Sequence, residues 1–157
     1  MDINRFAAPV WSVFRAVIGL LFSLHGLASL FGLFGGVRGT GNAVEVGLWP
    51  NWYAAVIQLV CGLLVLAGLF TRPAAVLASG SMAYAYFVVH QPDGLMPVQN
   101  GGVAPALYSW TFLAIAVIGA GPWSLDAVLR RSPGVFTAVP AASEASDAPE
   151  ANTAAAV

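Results

Sequence analysis

The stretch WYAAVIQLVCGLLVLAGLFTRPAAVLASGSMAYAYFVVH, residues 52–90, holds one charged residue, Arg72. On either side of Arg72 lies an apolar run of near twenty residues, the length a helix needs to cross the hydrocarbon of a bilayer. A soluble domain would break such runs with a polar face every few residues. The junction Thr71-Arg72-Pro73 is too short for anything but a tight turn, and proline suits a first helical position because its missing N–H would be unpaired there anyway. Residues 52–70 and 73–90 are therefore predicted to form an antiparallel pair of membrane helices.

Working outward, two further uncharged windows run from Ala16 to Val37 and from Gly94 to Leu125. They place one helix at about residues 10–34 and another at about residues 105–120. The fold class expected is all-α: an integral membrane four-helix bundle over residues 1–131. The first apolar segment carries Arg15 and His25, is long for a signal peptide, and is followed by no A-x-A-like cleavage site. It is read as a span that is retained.

Composition agrees. Of 157 residues, 59% are hydrophobic and 8% charged, against about 25% charged in soluble domains. The six basic residues are all arginine and form no cluster, which excludes nucleic acid as a partner because phosphate binding needs grouped cations. The lone Cys61 lies in an apolar run and is read as core packing.

Arginine placement gives an orientation. Four spans put both termini on one side together with the 71–73 turn, and that side gathers Arg5, Arg15, Arg72, Arg130 and Arg131 against Arg38 alone on the other. The positive-inside rule then makes both termini cytoplasmic. Trp11 and Trp123 fall at the inner boundary, and Trp49, Trp52 and Tyr53 at the outer one, where amphipathic rings settle.

Small residues at spacings of four, Gly19 with Ser23 and Ala75 with Ser79 and Ala83, predict close helix packing. The glycine-rich connection from Gly35 to Pro50 has no lysine and follows no strand, so it is read as an outer loop rather than a phosphate cradle. From residue 132 to 157 the composition turns to Ala, Ser, Pro, Thr and acids, which predicts a disordered cytoplasmic tail.

Polar side chains inside a span are costly and call for a reason. His25 is placed about 13 Å from the outer end of its helix and Gln58 about 9 Å from that of the next, at 1.5 Å per residue. Tyr86 and His90 stand four apart, hence on one helical face, and His90 opens the polar segment that runs to Asn100. Two readings stay open for His25, Gln58, Tyr86, His90 and Asn100. They hydrogen-bond one another and glue the helices, or they line an outward cavity for a quinone head group or similar small molecule. The spans contain no carboxylate, so a carboxylate-bridged di-iron site is excluded and no metal is expected. Arg15 is expected either to snorkel to the headgroups or to pair with Asp126.

Several segments in order resemble the DoxX family of small four-helix bacterial membrane proteins. They are Arg15 to Phe22, Leu24-His25-Gly26, Gly62 to Arg72, Tyr86 to His90, Asn100-Gly101-Gly102 and Gly121 to Asp126. The resemblance implies a plasma-membrane accessory of redox systems, because family members are described as a subunit of a thiosulfate-to-quinone oxidoreductase and as a membrane partner of superoxide dismutase and a sulfurtransferase. Three charged positions of the family pattern differ here: Ser29 stands for a lysine, Gln58 for a glutamate and Val103 for an acid. Each change removes a titratable group.

The resulting expectation is a redox-linked membrane accessory subunit, not catalytic alone, with quinone as its candidate cofactor and redox proteins as candidate partners. A purely structural module and a small-solute transporter are the competing readings, and the second lacks a charged pore ring.

Overall fold

A computed structural model describes residues 6–131; Arg5 and the tail at 132–157 lie outside the described residues. All regular structure among the described residues is helical. Four main helices are α1 (Ala7–Phe31), α2 (Asn51–Ala67), α3 (Thr71–Tyr84) and α4 (Val103–Ile118), followed by a short α5 (Leu125–Arg131). A π-helical turn, Ala85–His90, continues α3.

The boundaries differ from the sequence expectation where glycines end the helices. Gly32 takes a left-handed φ of 69° and returns its N–H to the Ala28 carbonyl, so α1 spans 7–31 rather than 10–34. Gly68, at φ 70°, ends α2 three residues before Phe70. Glycine adopts this conformation without the Cβ penalty other residues bear. Helix α3 starts two residues ahead of Pro73, which still falls in the first turn, where no N–H is needed. Helix α5 was not foreseen: Ser124 caps it by accepting the Ala127 N–H at 3.1 Å.

Helix α1 packs along α2 and α3 along α4, while α2 meets α3 over a sparser seam. Glycines set the first of these contacts. A Cβ on Gly19 would stand 2.4 Å from the Leu66 nitrogen, one on Gly26 2.5 Å from the Leu59 nitrogen, and one on Gly62 2.7 Å from the Ser23 nitrogen. Backbones this close gain dispersion contact where lipid supplies no hydrophobic drive between helices. Across α3 and α4 the Ser79 hydroxyl donates to the Ser109 carbonyl at 2.8 Å. Phe22 of α1 and Phe112 of α4, with ring centroids 4.6 Å apart, close the interior. Cys61 is buried in the same core, as packing.

The interior is built mainly of small side chains and the exterior of large apolar ones. Ser12, Ser23, Ala55, Ala75 and Ala78 are buried, whereas Val10, Val13, Val17, Leu63, Val76, Phe87, Leu107, Val117 and Ile118 are exposed. An apolar exterior on this scale is out of place in water and suits lipid. Helix α1 is long and apolar enough to cross a membrane by itself; α2 and α4 are apolar but shorter.

Candidate functional site

At one end of the helices a cavity of about 160 Å³ brings His25, Gln58 and His90 together, with Phe22, Pro105 and Tyr108 among its walls. Three elements supply the polar groups: α1, α2 and the π-helical turn. The earlier end of α1 matters here. His25 is six residues from Phe31 and Gln58 seven from Asn51, so both sit about 10 Å from their helix ends, at one level.

Both imidazoles are oriented by main-chain carbonyls. Nδ1 of His25 is 3.1 Å from the Leu21 oxygen, and Nδ1 of His90 is 3.0 Å from the Asn100 oxygen. A carbonyl only accepts, so Nδ1 carries the proton in each ring. In the neutral imidazole Nε2 is then a lone-pair acceptor. The side chain of Gln58 makes no hydrogen bond with a described residue and offers both an amide donor and an acceptor. Tyr108 lies edge-on to His25, with ring centroids 6.1 Å apart, and gives the cavity an aromatic wall.

Tyr86 and Asn100 do not join this constellation as expected. The π-helical turn closes i to i+5, which breaks the four-residue register that would have set Tyr86 beside His90. Tyr86 lines a different cavity with Phe87, Pro97 and Trp110, and its hydroxyl donates to the Leu95 carbonyl at 2.9 Å. Asn100 builds the loop: its Nδ2 donates to the Gly94 carbonyl and its Oδ1 accepts the Gly102 N–H, each at 2.7 Å. It serves the site through the backbone oxygen that orients His90.

Two larger cavities adjoin this one. One, of about 340 Å³, shares Gln58, Met82, Ala85 and His90 with it; the next, of about 170 Å³, shares Asn51, Ala54, Ala85 and Val89 with the second. The third is apolar and aromatic, walled by Trp49, Tyr53 and Tyr84 on the α2–α3 seam. Sequence reading missed Phe22, Tyr108 and this seam, because aromatic residues in a span look alike whether they face lipid or a cavity.

The opposite end holds the buried charge. Arg15 is only 2% exposed, so it does not snorkel, and it attracts Asp126 through charge without a direct ion pair. It donates to the carbonyls of Ala120 and Leu66 at 2.8 Å, of Trp123 at 2.7 Å, and of Val65. Asp126 instead accepts the N–H groups of Phe70 and Thr71 at 2.9 and 3.0 Å, capping α3. Burial pushes its carboxyl up, but the hydrogen bonds from Thr71 and Phe70 and the charge of Arg130 outweigh that and hold it below the usual carboxylate range. Arg72 reaches over Gly119 toward the Val117 carbonyl at 3.4 Å.

Comparison with known proteins places these features in a family setting. The DoxX family profile matches residues 10–91. An uncharacterised protein of Haemophilus influenzae is 39% identical, over 80% of this chain and 94% of its own length. An uncharacterised membrane protein of Mycobacterium tuberculosis is 29% identical, over 83% of this chain and 95% of its own. No solved structure matches.

Proposed function

Because the chain belongs to the DoxX family of membrane proteins, we propose that it is a four-span accessory subunit of a redox system, holding a quinone-class head group among His25, Gln58 and His90. The observation that carries the reading is the convergence of those three polar side chains, from three separate elements, in one cavity. A wall of Phe22 and Tyr108 suits a flat ring.

The hydrogen-bond roles refine the ligand. With Nδ1 of each histidine donated to a carbonyl, the neutral rings accept protons from ligand hydroxyls, and the Gln58 amide donates to a ligand carbonyl. A dihydroxy ring and its dione are the two forms such a set holds. On oxidation of the hydroxyl form, the imidazoles are placed to take its protons while the two electrons pass to a redox partner protein. The π-helical turn that bears His90 supports the reading, since such turns are frequent at functional sites.

In this reading all four main helices cross the plasma membrane as a bundle, both termini are cytoplasmic by the distribution of arginine, and the cavity opens outward. The test is purification in mild detergent from the native membrane, with mass spectrometry for copurifying proteins and quinone. Stoichiometric redox proteins, or quinone that is lost on His25→Phe, support the proposal. A protein carrying phospholipid alone, whose His25→Phe and Gln58→Leu variants lose thermal stability without a cellular redox phenotype, makes it a structural module.

A further inference from the structure

The head-group cavity does not stand alone. Ala85 lines all three adjoining cavities, and each shares four residues with the next, so they form one path from the His25 chamber past Gln58 to the α2–α3 seam. Polarity changes along it. The chamber has two histidines and an amide, whereas the seam offers Ile57, Leu77, Val89 and the rings of Trp49, Tyr53 and Tyr84.

The seam is also packed less densely than the α1–α2 and α3–α4 contacts. Helices α1 and α2 meet backbone to backbone through Gly19, Gly26 and Gly62, whereas α2 and α3 have the sparser contact. The residues flanking it are exposed: Leu77 at 53% and Trp49 at 65%. An apolar opening in the lipid-facing wall admits molecules already dissolved in the bilayer and gives little entry to those dissolved in water.

Resting on the head-group reading above, we infer that the ligand carries a long apolar chain, and that it enters sideways from the bilayer between α2 and α3. The chain lies against Leu77, Ser81 and Tyr84 while the ring reaches Gln58 and the histidines. A ring without a chain fits the inner chamber and leaves the seam unused.

The experiment compares two probes with the same head on the full-length protein in lipid nanodiscs: menadione, which has no tail, and menaquinone-4, which has a prenyl tail. Ser81→Trp fills the seam, and Ser81 touches neither inner cavity. The expected result is about a tenfold loss of menaquinone-4 affinity, with menadione held within about twofold. Leu77→Trp, at an exposed position of the same seam, provides a second variant, and an unchanged melting temperature shows that either variant is folded. Menaquinone-4 binding that survives both substitutions overturns the side entry and leaves the head site standing. Failure of both probes on the unmodified protein overturns the head site, and the entry with it.

Discussion

The guanidinium of Arg15 and the carboxylate of Asp126 share one end of the molecule, yet each is bonded to main chain and not to the other. Arg15 gathers carbonyls from the end of α2 and from the α4–α5 turn. Asp126 gathers the first N–H groups of α3. The cation meets carbonyls of the last turn of α2, among them that of Val65, which also accepts the Gly68 N–H, and the anion meets donors at the N-terminus of α3. Two family-like segments, Gly62 to Arg72 and Gly121 to Asp126, are thereby tied to Arg15 and to each other.

Arg15 should accordingly tolerate no replacement. Arg15→Met removes the donors of several carbonyls at once and is expected to lower stability by about 3 kcal/mol or more. Arg15→Lys keeps the charge but lacks the planar fork, and should fall between the two. Thermal unfolding in detergent checks the order; a lysine variant as stable as the original protein contradicts it.

Asp126 predicts an acid-side effect. Its folded pKa lies below its unfolded value of about 3.9. The stability it contributes is therefore present above that value and is lost as pH falls through the lower folded pKa. Asp126→Asn can still cap the helix but does not titrate, so its melting temperature should depend less on pH below about 4. Asp126→Ala should cost about 1 kcal/mol at neutral pH. Melting curves at pH 3 to 7 separate the two.

The α1–α2 contact makes a contrast between glycines. Gly19→Ala puts a methyl 2.4 Å from the Leu66 nitrogen, so the helices must separate, at a cost of about 2 kcal/mol or more. Gly80 has nothing within 4 Å of a Cβ, and Gly80→Ala should be neutral or stabilise by up to about 1 kcal/mol. Equal melting shifts for the two would mean that the close approach is not what Gly19 provides.

Much of this was legible beforehand. The four helices follow from uncharged runs, and the depths of about 13 and 9 Å bring His25 and Gln58 near one another on neighbouring helices; nothing in the sequence gives His90 the same level. What escaped has local causes. A π-helical turn has no sequence signature strong enough to separate Tyr86 from His90. Asn100 announces polarity without saying that it would serve a loop instead of a ligand. The choice between Asp126 and carbonyl oxygens for Arg15 depends on where the α4–α5 turn lies, and α5 is too short to show a periodicity of its own.

The histidine geometry leads to a preference between ligand forms. If Nδ1 of His25 and of His90 each donate to a carbonyl, the chamber presents two acceptors to the ligand and a single amide donor at Gln58. A hydroxyl-bearing ring supplies donors to both imidazoles, whereas a dione leaves them unmatched. The protein is therefore expected to bind menadiol more tightly than menadione at neutral pH, by about three- to tenfold for each hydrogen bond realised. His90→Phe should lower menadiol affinity by a similar factor and change menadione affinity little; Gln58→Leu should do the reverse. Anaerobic equilibrium binding of the two probes to the three proteins decides the matter, and equal affinity for both forms, unaltered by His90→Phe, would remove the imidazoles from the site.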